Sequence, residues 1–219
     1  MISDADLSME IGAYYFNLYG VGEYDLIRAE HYFKRAITLD PEVPDAWHHL
    51  ARIDFLNGNF HEAIEKINRQ IEIHGDDFIA SYYIRGLVYG FMGDYKNAEE
   101  DFLIFLELTP GNWAALNDLA WVYFQSGQYE KTLATVEGGL VVEPDNTWLL
   151  NMKGLALLNL KRPNEARVFF EKARTQAALL SEEDWHQAYP GNNPSVATQG
   201  LFEMRKAIEH NMTLVSVDN

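Results

Sequence analysis

The sequence predicts an all-α fold: five clear helical hairpins and a degenerate sixth, stacked side by side as a solenoid. Three observations predict it. Small residues recur at Ala51, Gly86, Ala120 and Gly154, a period of 34 or 35 residues, and Ala29, Ala63, Ala98 and Ala166 keep the same phase. Such a period marks stacked supersecondary units rather than a single globular core. Within each copy, apolar residues fall at i, i+4 and i+7, one face of a 3.6-residue helix. Glycine and proline then punctuate each copy at matching places, where a helix must turn or stop.

The first copy spans about 8–43. Ser3-x2-Asp6 is a capping box that opens a helix running to about Tyr19. Gly22-Glu23-Tyr24 reads as the turn, Ala29, Phe33 and Ala36 as the stripe of the second helix, and Pro41 as its close. The interval from Gly22 to Ala29 is two residues longer than its counterparts, so a small insertion is expected here. In the second copy, 44–78, Trp47, Leu50 and Ala51 carry the first helix. Gly58-Asn59-Phe60 turns it, and Ala63 and Ile67 continue it.

The third copy, 79–112, is the cleanest. Tyr82, Gly86 and Tyr89 form one stripe, Gly93-Asp94-Tyr95 breaks the helix, Ala98, Phe102 and Phe105 form a second stripe, and Thr109-Pro110 stops it. The fourth, 113–146, repeats this with Leu116, Leu119, Ala120 and Tyr123, the turn Gly127-Gln128-Tyr129, then Val136, Gly139 and Pro144. The fifth, 147–180, has Leu150, Gly154 and Leu157, then Pro163 in the first turn of its second helix, then Ala166, Phe170 and Ala173. Two helices cannot bury both apolar faces alone, so the copies must stack.

After Ala178 the pattern weakens but keeps phase, and 181–219 reads as a degenerate sixth copy with a capping helix and tail. Ser181-x2-Asp184 is another capping box, Tyr189 to Pro194 cuts the first helix short, and a last helix runs from Ser195 to about Asn211 with Leu201, Met204 and Ile208 inward. Covering the exposed end of the stack is its expected role; the alternative is that it swings into the groove as a self-ligand.

The third copy reads Tyr82-x2-Arg85-Gly86-x2-Tyr89, then Ala98-x3-Phe102, then Pro110. This resembles the tetratricopeptide repeat family, whose motif runs W-x2-L-G-x2-Y, A-x3-F and P, and the other copies repeat the match. The resemblance implies a right-handed solenoid in which first helices line a concave surface and second helices form the convex back. It also implies protein binding, as in co-chaperones, secretion chaperones and assembly scaffolds. Arg85 and Lys153 depart from the motif where it has leucine. A charge in that seam needs a partner, and the sequence places Asp54 as the partner of Arg85.

Composition narrows the rest. Lys and Arg number 17 against 33 Asp and Glu, a net charge of −16, which disfavours nucleic acid and anionic lipid. No run of about 18 apolar residues suggests membrane insertion. With no cysteine, disulfides, thiolate zinc sites and cysteine nucleophiles are excluded. MISDADLSMEIG carries neither a basic region nor an apolar core, so a cytoplasmic location is expected if Met1 is the natural start, and a periplasmic one is open otherwise. No phosphate loop, dinucleotide fingerprint, zinc-protease or nucleophile-elbow motif is present. His48 and His49 are adjacent on a helix and point about 100° apart, unlike a metal pair. No cofactor, metal or catalytic residue is expected, and an enzyme is not.

The candidate site is the face one residue beyond the stripe of each first helix. It comprises Phe16 and Tyr19; His48, Arg52 and Phe55, with Asp45 at their flank; Tyr83 and Phe91, with Leu87; Asn117, Trp121 and Phe124; and Trp148 and Asn151, with Leu155. The set is aromatic and nearly uncharged in a strongly acidic chain. Aromatic rings give large contact area and carry interface hot spots, and a contiguous apolar concavity marks an interaction surface. The expected partner is a peptide or helix of another protein, apolar or amphipathic. Asn117 and Asn151, equivalent in successive copies, suit the backbone of an extended peptide. The alternative for these rings is packing between neighbouring first helices. The rival function is part of a larger assembly or secretion machine, or a self-associating subunit whose groove is filled by its own C-terminal segment or by a neighbour.

Overall fold

The computed structural model describes residues 2–18, 22–188 and 197–215. Tyr19, the break at Tyr189 to Pro194 and the tail from Ser216 lie outside them. Among the described residues there are twelve α-helices and no β-strand. They are α1 (Asp4–Tyr15), α2 (Leu26–Leu39), α3 (Ala46–Leu56), α4 (Phe60–His74), α5 (Ala80–Met92), α6 (Tyr95–Leu108), α7 (Trp113–Gln125), α8 (Tyr129–Val142), α9 (Thr147–Asn159), α10 (Pro163–Leu179), α11 (Glu182–Ala188) and α12 (Ala197–Leu214). The helices fall into two compact units, one holding α1 to α5, the other α6 to α10 with Trp185 and α12.

Capping fixes the starts. Ser3 and Asp6 bond reciprocally at α1, with Asp6 N–H donating to Ser3 Oγ at 3.0 Å. Ser181 and Asp184 do the same at α11. Asp25, Asp94, Asn112 and Asn146 accept backbone N–H groups at α2, α6, α7 and α9. Pro163 opens α10 in its first turn, where no amide hydrogen is needed. First helices end on a left-handed residue: Asn17 (φ 50°), Gly58 (78°), Gly93 (80°), Gly127 (75°) and Lys161 (61°).

The first turn differs from the sequence expectation. Helix α1 stops at Tyr15, and Asn17, not Gly22, takes the left-handed position. Asn17 lies 12 positions before Ala29, whereas Gly58 lies 5 before Ala63, so the insertion is seven residues rather than two. Asparagine tolerates φ > 0, which removes the glycine signal. Gly22 serves the inserted loop instead. Its N–H donates to Asn17 Oδ1 at 3.1 Å, and a Cβ there would lie 2.0 Å from the Tyr14 carbonyl oxygen. An antiparallel bridge pairs Phe16 with Tyr24.

In the first unit α1 packs on α2, α2 on α3, α3 on α4, and α4 on α5. Phe33 fills the space above Gly12, where a Cβ would lie 2.6 Å from its ring, and Phe16, Ala29, Leu50 and Ile53 surround it. Ala51, Ala63, Ile67, Ile84 and Val88 form the next layer. In the second unit α6 packs on α7, α7 on α8, α8 on α9, and α9 on α10. Ala120, Val136, Leu149 and Met152 form one layer, and Leu157, Ala166 and Phe170 another.

Helix α12 packs on α10. Ile208 inserts among Leu150, Ala173 and Ala177, and Val215 among Leu157, Ala166 and Phe170. Arg205 donates from Nε to the Ala177 carbonyl at 2.9 Å and from Nη2 to the Leu180 carbonyl at 2.8 Å, which satisfies the open end of α10. The helix runs to Leu214, three residues past its expected end.

The charges in the seams find partners other than one the sequence named. Asp54 is held by Lys66 of α4, not by Arg85. Arg85 donates to Asn68 Oδ1 at 2.7 Å and lies over the Tyr82 ring. Lys153 reaches Glu137 of α8 at 2.9 Å, with its ammonium 4.2 Å from the centre of the Phe169 ring.

Candidate protein-interaction faces on the first helices

In the first unit the expected residues divide. Phe16 is 0% exposed and is a core residue, not a surface one. Because α1 ends early, Phe16 falls at its C-cap and turns inward, edge-on to Phe33 at 6.2 Å and to His49 at 6.0 Å. His48 is 7% exposed and lies in the seam between α3 and α5. Its backbone N–H donates to Gln70 Oε1 at 3.3 Å, and its ring Nδ1 is 3.4 Å from Ser81 Oγ. Burial, with the nearby Arg52 charge, pushes its pKa down to about 3, so the ring is neutral.

Arg52 stretches across Phe16, 4.8 Å from the ring centre. Burial lowers its pKa to about 10, partly offset by Tyr83 and Tyr24. Phe55, Tyr83 and Leu87 are half-buried, while Phe91 is 57% exposed. Phe55 meets Phe91 edge-on at 5.2 Å, and Phe60 joins them at 6.0 and 6.3 Å. Phe60 begins a second helix and was legible in the sequence only as a turn residue.

In the second unit the expected residues all keep some exposure. Asn117, Trp121, Phe124, Trp148 and Asn151 are half-buried. Trp121, Phe124 and Leu155 rest on the layer formed by Ala120, Val136, Leu149 and Met152. Phe124 meets Tyr129 at 5.4 Å. Asn151 is engaged: its Oδ1 accepts from Asn211 Nδ2 of α12 at 3.0 Å.

Trp148 stands between two further indoles, Trp113 at 5.1 Å and Trp185 at 6.0 Å, tilted 35° and 36°. These two were missed by the residue-by-residue reading. The signal was the repeat itself, since Trp113 lies 35 positions before Trp148 and Trp185 lies 37 after it. Each stands at or near the start of a first helix, so stacking the copies brings the rings into a row.

Such faces can hold side chains by area and dispersion, with amides to orient a backbone. Among the described residues no group of three or more His, Asp or Glu could hold a metal ion. No described helix is long and apolar enough to cross a membrane.

Family models described as tetratricopeptide repeat match residues 21–83, 84–138 and 149–173. A human protein, tetratricopeptide repeat protein 6, is 26% identical over 148 residues, which is 67% of this chain and 28% of that protein. The matched region is therefore under a third of that relative's length. Among solved structures, a crystal structure of MamA protein aligns with a TM-score of 0.66 at 21% identity, over 86% of this chain and 97% of that one. A MamA structure from Desulfovibrio magneticus RS-1 aligns with a TM-score of 0.71 at 16% identity, over 83% of this chain and 99% of that one.

Proposed function

We propose that this chain, which belongs to the tetratricopeptide repeat family, is an interaction scaffold that holds an apolar or amphipathic segment of another protein against its first-helix faces. The observation that carries this reading is the second unit's face. Five of its residues, Asn117, Trp121, Phe124, Trp148 and Asn151, retain exposure, and Trp121 and Phe124 do so while resting on a buried layer. None of the five is charged, in a chain of net charge −16. Large rings left partly exposed are the residue types that dominate binding energy in interfaces.

The test is a Trp121→Ala, Phe124→Ala double variant. It should keep its helical circular dichroism and lose its partner in pull-downs from the source cell, with the captured protein identified by mass spectrometry and rebound in purified form. Unchanged capture and unchanged affinity would refute the reading.

A second reading has one observation in its favour. The Asn211–Asn151 hydrogen bond shows the chain's own C-terminal helix reaching a residue of the candidate face. On that reading the face is filled by the chain itself or by a neighbouring copy. Light scattering isolates the neighbouring-copy form, whose mass grows with concentration, and Asn211→Ala tests the self-filled form, in which releasing the helix should strengthen capture of the partner.

A further inference from the structure

We propose that a cavity between α1 and the start of α3 receives a basic side chain, lysine or arginine, from a partner polypeptide. This rests on the reading of the chain as a protein binder, but it concerns the first unit, whereas Trp121 and Phe124 belong to the second.

The cavity measures about 540 Å³, ample for one long side chain. Its apolar walls are Met9 on α1 with Val43 and Pro44 before α3, a surface suited to an alkyl stem. Three carboxylates, Asp6, Glu10 and Asp45, line it, and no lysine or arginine does. Asp6 is engaged with Ser3 in the cap of α1. The side chains of Glu10 and Asp45 make no hydrogen bond or ion pair among the described residues.

Asp45 stands at the N-cap of α3, where an aspartate ordinarily accepts a backbone N–H. It does not: its φ is 65°, its side chain makes no cap bond, and Gln70 accepts the His48 N–H instead. Its carboxyl is half-buried, and that burial raises its pKa, partly opposed by the nearby His74. A cation placed beside it would offset the loss of water.

The second, independent observation is His49, which also lines the cavity. It is 9% exposed, and its Nδ1 has no hydrogen-bond partner among the described residues. Burial, with the neighbouring His48 and Arg52, drives its pKa well below the usual value. The ring is therefore neutral, so it brings no repelling charge to the cavity. The donors are not gathered as a metal cage. Carboxylates around a slot with apolar walls match an ammonium or guanidinium on an aliphatic arm.

The experiment uses the full chain with labelled methionine methyl groups. The probes are acetylated, amidated tripeptides with leucine at both ends and lysine, arginine or norleucine between them. The lysine or arginine probe should shift the Met9 methyl resonance saturably, more weakly as salt is added. The norleucine probe should not. Glu10→Gln with Asp45→Asn should weaken the cationic probes by about tenfold or more. Equal shifts from norleucine, no saturable shift from either cation, or undiminished binding to the double variant would each overturn the proposal. The Trp121, Phe124 variant should bind these probes normally, so failure here and failure of the scaffold reading are distinguishable.

Discussion

A Cβ built on Gly154 of α9 would lie 2.4 Å from Cε1 of Phe170 on α10. The ring occupies the space that any side chain would need, and it is 0% exposed. The same relation joins Gly12 and Phe33 at 2.6 Å at the other end of the chain. Small residue against large ring thus sets the spacing of the α1–α2 and α9–α10 hairpins.

Gly154→Ala should therefore destabilise the protein by about 1–3 kcal/mol, although alanine favours helix by about 1 kcal/mol over glycine. Gly138, on α8, is the control. Nothing lies within 4 Å of a Cβ there, so Gly138→Ala should stabilise by about 0.5–1 kcal/mol. Urea unfolding of both variants tests the pair. Equal effects of one sign would show that helix propensity, not ring contact, governs the position.

The Asp54–Lys66 pair should be energetically coupled, and Asp54 with Arg85 should not. Asp54 is 8% exposed and takes the Lys66 ammonium from the facing helix. Removing Lys66 alone leaves that carboxylate buried without its partner. A double-mutant cycle through alanine should give about 1–3 kcal/mol for Asp54–Lys66 and under about 0.5 kcal/mol for Asp54–Arg85. Reversed magnitudes would contradict the packing of α3 on α4.

These two cases show what the sequence made legible. The period of Ala51, Gly86, Ala120 and Gly154 located the hairpins because close approach permits few residue types. Ser3, Ser181 and Pro163 announced helix starts because capping is local chemistry. Arg85 was recognised as needing a partner, but Asp54 and Asn68 both stand near that seam, and side-chain reach gives Asp54 to Lys66 and Asn68 to Arg85 only in three dimensions. Phe16 and His48 were placed on the surface for a related reason. A seven-residue insertion, hidden by an asparagine in a glycine's role, moved the end of α1 and turned Phe16 inward. His48 faces α5 because Ser81 there leaves room, and a stripe rule counts residues without weighing the neighbour's size. The tryptophan row at Trp113, Trp148 and Trp185 was visible in the spacing but arises only when copies stack.

Stability should fall as pH drops from about 6.5 towards 5. His48 and His49 are neutral in the folded protein, with pKa values lowered by burial, to about 3 for His48. Unfolded, each titrates near about 6.5. Between those values the unfolded state binds more protons, so stability is full above the unfolded pKa and is lost on acidification at up to about 1.4 kcal/mol per pH unit for each histidine. Urea midpoints at pH 7.5, 6.5 and 5.5 measure the slope, in a range where most carboxylates stay ionised. His49→Leu should flatten it by about half, and an unchanged slope would mean that this ring is not held neutral.

Arg205 should matter more than its place on a terminal helix suggests. Its guanidinium takes two carbonyls, Ala177 and Leu180, at the end of α10, where no further helical N–H is available. Arg205→Ala removes both bonds and should cost about 1–3 kcal/mol. Arg205→Lys should recover only part of this, because one ammonium cannot reproduce a planar fork aimed at two acceptors. Ile208→Ala, on the same helix, should cost about 2–4 kcal/mol through the cavity it opens beside Leu150 and Ala173. Hydrogen exchange then locates the damage. If α12 covers the last hairpin, amides of α9 and α10 should lose protection in both variants, while those of α3 and α4 keep theirs. Protection lost only within α12 would show that the helix rests on the hairpin without supporting it.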